Sequence, residues 1–193
     1  MNYQETLSYL YGLGNEVLAM KLGLDRMERL LHELGSPHQA IPSVLVAGTN
    51  GKGSTCAMLA GILQQGGLKV GLYTSPHLLK IEERIQINGE LIPAAEFAET
   101  VSVVHATIER LLASGDLPGR PSFFEHVTAA AFCHFQQQQA DILVLEVGLG
   151  GRLDATNVVN PKISIITCSS RSRSPATRRG VPGATSTCSA TAL

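Results

Sequence analysis

The chain lacks the features that mark several large protein classes. No run approaches the roughly 18 apolar residues of a membrane span. Met1-Asn2-Tyr3-Gln4-Glu5 sets no basic region ahead of an apolar block, as a secretory leader would. A membrane partner is therefore not expected, and the expected location is cytoplasmic. The four cysteines, Cys56, Cys133, Cys168 and Cys188, include no C-x-x-C pair and accompany no clustered histidines, so neither a zinc site nor a disulfide framework is indicated. Clustered cations are missing too. All 16 acidic residues precede position 168 and outnumber the 11 Lys and Arg residues of the same span. Such an acidic body makes a poor surface for phosphate backbones, and no nucleic-acid partner is expected.

What is there is a 193-residue chain, 44 % apolar and 16 % charged, long enough for one substantial core. Its most informative stretch begins with Val44-Leu45-Val46-Ala47, which reads as a buried strand and breaks into Gly48-Thr49-Asn50-Gly51-Lys52-Gly53-Ser54-Thr55. Glycines at 48, 51 and 53 let the backbone turn its N–H groups inward, and a helix opening near Ser54 adds partial positive charge. Lys52 can reach outer phosphates, and the hydroxyl of Ser54 or Thr55 can ligate Mg²⁺. The helix is expected to run to Gln65, to stop at Gly66-Gly67, and to be followed by a strand over 69–73. Thr74-Ser75-Pro76-His77-Leu78 then leaves the C-terminal end of that strand, where open α/β sheets place ligands. Ser75 could offer its hydroxyl to the same metal, with an ordinary Ser-Pro turn as the alternative.

Ahead of this stretch, apolar spacing predicts a short helix over 4–12 and a clearer one over 23–34, with His32 and His38 as surface residues. Beyond it, residues 84–92 carry an Asn-Gly hairpin signal, read as an excursion from the main sheet. A long helix from Pro93 to about Ala113 has Pro93 in its first turn. Another runs from Phe123 to about Gln138, capped by Ser122 with Glu125 at capping-box spacing. Glu125 and His126 invite a catalytic reading, with capping as the commoner role for such a Glu. Asp141 to Val147 reads as a buried parallel strand, and Glu146 near its end is the strongest acidic candidate for holding Mg²⁺. Gly148 to Asn157 joins flexible backbone with Arg152, Asp154 and an amide, and reads as a substrate wall. A last strand spans 163–167. From Cys168 the sequence turns to Ser, Arg, Thr, Ala and Gly, too poor in large apolar residues to offset its ordering entropy, and disorder is expected from about residue 170.

Ala-Gly-Thr-Asn-Gly-Lys-Gly-Ser (47–54), Thr74 to Leu78, Glu82 to Arg84, and Glu-Val-Gly-Leu-Gly-Gly-Arg-Leu-Asp-Ala-Thr-Asn (146–157) together resemble the folylpolyglutamate synthase and dihydrofolate synthase family, related to the muramyl-peptide ligases. The resemblance covers about residues 5 to 167. It implies an α/β, P-loop-containing fold: a mostly parallel sheet flanked by helices, incomplete at the C-terminus. Residues 1–167 would be a truncated ATP-binding domain of the Mur ligase central type, and 168–193 a disordered tail foreign to the family. The family's C-terminal glutamate-ligase domain would be absent. Implied ligands are ATP and Mg²⁺, with a folate or pteroate and L-glutamate as substrates, in a monomer. Gly48, Thr49, Asn50, Gly51, Lys52, Gly53, Ser54 and Thr55 would bind nucleotide, with Ser54, Ser75 and Glu146 as metal ligands. Lys52 and Glu146 would be catalytic, and Phe124, Asp154 and Ala155 would lie near the pterin; apart from the resemblance, Arg152 is a candidate for steadying the substrate or phosphate.

The implied reaction is ATP-dependent amide ligation through an acyl phosphate. Two departures stand out. Leu45-Val46 is aliphatic where the family has a His, and after Thr167 the family's Asp-His pair and Lys-Ala-Gly segment do not follow. The abrupt change there reads as another reading frame or a truncated gene. The residues leave two rivals open, another P-loop phosphotransferase and a non-catalytic nucleotide-binding fragment.

Overall fold

The computed structural model describes residues 1–14, 23–148 and 151–167. The expected disorder from about residue 170 falls outside them. The chain opens with α1 (Tyr3–Gly12), started by a reciprocal cap in which Asn2 Oδ1 accepts from the Glu5 N–H and the Glu5 carboxylate accepts from the Asn2 N–H. Then come α2 (Asp25–Glu33), β1 (Ser43–Ala47), α3 (Lys52–Gln65) and β2 (Val70–Tyr73). A short hairpin, β3 (Ile85–Ile87) and β4 (Glu90–Leu91), precedes the long α4 (Ala94–Ser114). The described part ends with α5 (Phe123–Gln137), β5 (Ile142–Glu146) and β6 (Ile163–Ile166), the last two joined by single 3₁₀ turns at Gly151–Leu153 and Ala155–Val158.

The strands form one six-stranded sheet in the order β4-β3-β2-β5-β1-β6. β1 runs parallel to both β5 and β6, and β5 runs parallel to β2. β1 and β2, consecutive in the chain and parallel to each other, are not neighbours, because β5 lies between them. The hairpin is no excursion: β3 pairs antiparallel with β2, Tyr73 opposite Ile85, and continues the sheet to its edge.

Side-chain alternation explains the two layers. Val44 and Val46 of β1, Val70 and Leu72 of β2, and Val144 of β5 point to the face covered by α3, where they enclose Cys56. Leu45, Tyr73, Leu143 and Leu145 point the other way, into the larger core formed with α1, α2, α4 and α5. α5 is buried along most of its length, from Phe123 through Phe135, which accounts for its apolar run on every side. Its first turn carries the expected cap, Ser122 Oγ accepting from the Glu125 N–H and Glu125 Oε2 from the Ser122 N–H. Gly71 lets α5 approach β2, since a Cβ there would lie 2.8 Å from the Phe135 ring.

Three local expectations shift. α3 begins at Lys52, two residues before Ser54, so the lysine belongs to the helix's first turn. Pro93 is the extended residue preceding α4 and not part of its first turn. His38 is buried, 5 % exposed, with its ring tilted toward Phe132, because the turn that carries it folds against α5.

Candidate active site

Three strands deliver their C-terminal ends to one place. The register sets Val46 of β1 beside Glu146 of β5, and Tyr73 of β2 beside Leu145. The loops after β1 and β2 therefore start from neighbouring positions, on either side of the Glu146 strand.

After β1 the backbone turns at Gly48, whose φ of 139° and closeness to the Thr167 hydroxyl leave no room for a Cβ. Thr167 Oγ1 also donates to Asn50 O at 2.7 Å, tying the end of β6 to the turn. Gly51, at φ 77°, is the left-handed residue that starts α3, and no side chain caps the helix there. Its first-turn N–H groups and the positive end of its dipole are thus presented at the turn. Thr55 Oγ1 is engaged with Gly51 O at 2.8 Å, whereas among the described residues no hydrogen bond occupies the Ser54 hydroxyl.

Glu146 lies against this helix start. A Cβ placed on Gly53 would be 3.5 Å from Glu146 Oε2, and the same oxygen accepts from the Ser75 N–H at 3.1 Å. The carboxylate is 6 % exposed. Burial raises its pKa, while the Ser75 N–H and the Lys52 charge pull it back down. The structure thus brings the 48–55 turn, Ser75 and Glu146 together. Cys56, one turn into α3, is buried beneath them, and its thiol is pushed up to about 12 by burial and the neighbouring carboxylate, which makes it a poor nucleophile.

A second cluster adjoins the first along the strand that ends at Glu146. A Cβ on Gly148 would stand 2.8 Å from Phe124 Cζ and 3.2 Å from Asp154 Oδ2, so Phe124 and Asp154 close on the same glycine. Asp154, fully buried, accepts from the Thr156 N–H at 2.9 Å and from the Thr156 hydroxyl at 2.6 Å, and Ala155 between them is buried. Phe124 lies 6.1 Å from the Tyr73 ring. Arg152 stands apart from them. It is exposed on the Gly151–Leu153 turn, and among the described residues no ion pair involves its guanidinium. Glu125 and His126 serve structure: Glu125 caps α5 and pairs with Arg26 at 3.3 Å, and His126 is held by Tyr9 and Ser122 O. Burial depresses the His126 pKa to about 4, so its imidazole is neutral at physiological pH.

Sequence reasoning passed over the bracing of the loop after β2. Thr74 N–H donates to Arg84 O, Arg84 Nε donates to His77 Nδ1 at 2.8 Å, and the Glu83 carboxylate accepts from three successive N–H groups, those of Leu78, Leu79 and Lys80. The adjacent Glu82-Glu83-Arg84 triplet was the available signal.

A glycine turn between β1 and the start of α3, with an acidic strand end one place across the sheet, defines a P-loop-containing α/β domain. No protein-family model matches the chain. Individual relatives do. Folylpolyglutamate synthase of Lacticaseibacillus casei is 42 % identical over 167 residues, 86 % of this chain and 38 % of the relative. The dihydrofolate synthase/folylpolyglutamate synthase of Escherichia coli is 44 % identical over 161 residues, 83 % of this chain and 36 % of the relative. Among solved structures, folylpolyglutamate synthase from Thermotoga maritima superposes with a TM-score of 0.75 at 45 % identity, over 82 % of this chain and 36 % of that one. A complex of such a synthase with AMPPCP and folate superposes with a TM-score of 0.78 at 41 % identity, over 86 % of this chain and 40 % of that one. The chain belongs to the folylpolyglutamate synthase/dihydrofolate synthase family, and it spans under two fifths of the length of the curated relatives named here.

Proposed function

We propose that this chain is the ATP-binding part of a ligase that joins L-glutamate to a folate or pteroate carboxylate. The observation that carries the reading is the meeting of the Gly53 backbone with the Glu146 carboxylate, 3.5 Å from where a Cβ would stand, with the Ser75 N–H on the same oxygen. A buried carboxylate raised by desolvation, with a lysine charge acting on it, is suited to pairing with a cation. Among the described residues no three His, Cys, Asp or Glu side chains cluster, so the local donors are one carboxylate and serine hydroxyls, hard oxygens that suit Mg²⁺.

On this reading Glu146, Ser54 and Ser75 hold the metal, and the remaining residues of the 48–55 turn hold phosphate oxygens through backbone N–H groups. Mg²⁺ held by these residues would supply charge neutralisation for the nucleotide's phosphates. Lys52 sits in the first turn of α3, where its ammonium and the helix dipole act on the same phosphoryl oxygens, and such preorganised charge is the main source of rate in phosphoryl transfer. Phe124 provides an apolar wall for a pterin ring, and Asp154 and Ala155 border it. Arg152, exposed and unpaired among the described residues, steadies the acceptor carboxylate or the transferred phosphate. The acceptor carboxylate oxygen attacks the γ-phosphorus and ADP leaves. The glutamate amine then displaces phosphate from the acyl carbon, losing a proton as the amide forms. Residues 1–167 form the ATP-binding domain, residues 168–193 take no part in it, and the glutamate-holding domain lies outside these 193 residues. A cytoplasmic location and a monomer complete the proposal.

The relatives' greater length favours one second reading, a nucleotide-binding fragment without turnover. Purified chain with labelled ATP, a folate and glutamate, set against ATP alone, separates the readings. Glutamate-dependent phosphate release supports the ligase. Nucleotide binding without turnover supports the fragment, phosphate transfer indifferent to glutamate points to another phosphotransferase, and no nucleotide binding overturns the site.

A further inference from the structure

The loop from Thr74 to Lys80 carries Ser75 to the Glu146 carboxylate, yet it packs little of itself away: Leu78 and Leu79 are each 89 % exposed. A loop with so little burial needs polar bracing to hold one shape. The bracing comes from two adjacent residues. The Arg84 carbonyl accepts from Thr74 N–H at 3.0 Å at the loop's entrance, and the Glu83 carbonyl accepts from the Thr74 hydroxyl at 3.4 Å. At its exit the Glu83 carboxylate gathers the N–H groups of Leu78 at 2.7 Å, Leu79 at 3.0 Å and Lys80 at 2.9 Å. Arg84, 1 % exposed and stacked over the Phe123 ring at 5.2 Å, anchors the pair to the start of α5 and holds His77 in the middle of the loop. Hydrogen bonds to an ionised acceptor are about twice as strong as neutral ones, so the charge on Glu83 matters as well as its shape.

We infer that Glu83 is a positioning residue: by clamping three consecutive amides of the Thr74–Lys80 loop, it holds Ser75 against Glu146 and so sets the metal-binding geometry from outside the site. Among the described residues the hydrogen bonds of the Glu83 carboxylate go to the Thr74–Lys80 loop, and its effect passes through the loop backbone. The inference rests on the metal site proposed above and adds a residue to it.

The test measures two things on the full chain and on Glu83→Gln, Glu83→Asp and Glu83→Ala. Hydrogen exchange reads protection of the Leu78, Leu79 and Lys80 amides. Titration with an ATP analogue, with Mg²⁺ and with EDTA, reads the gain in affinity that the metal confers. In the wild type the three amides are protected. In Glu83→Gln their protection falls about tenfold, in line with replacing a charged acceptor by a neutral one, and the Mg²⁺-dependent gain falls about as far. Binding in EDTA stays near wild type, and the melting temperature falls little, because Glu83 is half-buried and braces a loop that opens locally, apart from the core. Glu83→Asp recovers part of both effects, and Glu83→Ala loses more than Gln. Unprotected amides in the wild type overturn the clamp. Lost protection with an unchanged Mg²⁺-dependent gain overturns the positioning role alone and leaves the site standing. A wild-type chain that binds the analogue but gains nothing from Mg²⁺ overturns the metal site and the inference together.

Discussion

Gly53→Ala separates stability from binding at a single atom. Gly53 is the second residue of α3 and has no left-handed φ, so alanine fits its backbone. The added Cβ would meet Glu146 Oε2 at 3.5 Å, ordinary van der Waals contact, and its other two nearest atoms also belong to Glu146. The fold therefore accepts the methyl. Replacing glycine at a compatible site stabilises by about 0.4–1 kcal/mol, chiefly through the unfolded chain, which corresponds to roughly 1–4 °C in melting temperature for a domain of this size. The same methyl stands between the helix start and the carboxylate, where the proposed metal would be held. Affinity for an ATP analogue in Mg²⁺ is expected to fall at least about tenfold, equivalent to ~1.4 kcal/mol. Thermal melts and calorimetric titration on one preparation give both values. A variant that melts higher and binds the Mg²⁺ complex at wild-type affinity refutes the placement of the cation between these groups. A variant that melts lower refutes the helix start itself.

Glu146→Gln should stabilise the ligand-free chain at neutral pH while abolishing the gain in nucleotide affinity from Mg²⁺. Because burial raises the native pKa of Glu146, its contribution to stability is full below the ordinary carboxylate value and is lost as pH rises through the raised one. Urea midpoints from about pH 4 to 7 should show that decline in the wild type and not in the variant. Gly71→Ala drives a methyl to 2.7 Å from Leu143 Cδ2 and 2.8 Å from the Phe135 ring, both in the packed core, and should cost about 1–3 kcal/mol by denaturant unfolding. Ser122→Ala removes the cap of α5 and should cost about 0.5–2 kcal/mol; an unchanged midpoint would mean that water caps the helix equally well.

Local pattern made most elements legible. Val44 to Ala47 before the glycine turn, the Ser122–Glu125 cap and the apolar run ending at Glu146 each announce themselves within a few residues, and each forms as read. Sheet order did not follow from them, because the period of a strand says which face is buried and not which strand lies alongside. That is why β5 came to separate β1 from β2, and why the Asn88-Gly89 hairpin joined the sheet instead of leaving it. The turn at 48–55 and Glu146 could be paired from sequence because both follow apolar strands, whose carboxyl ends share one edge in parallel sheets. Glu83 was harder to see. The Glu82-Glu83-Arg84 triplet marks the charge, but the partners of Glu83 are backbone amides, which side-chain spacing does not disclose. His38 was misplaced for a related reason, since nothing near it in sequence foretells the α5 surface that covers it.

The contrast between α5 and the loop after β2 has a consequence for how the molecule comes apart. Buried along most of its length, α5 can lose its amide protons only when the whole domain opens, whereas Leu78 and Leu79 stand in water on a braced but unpacked arch. A protease that favours leucine should nick the arch first and leave α5 with Phe124 intact, so that the two elements are cut on very different clocks.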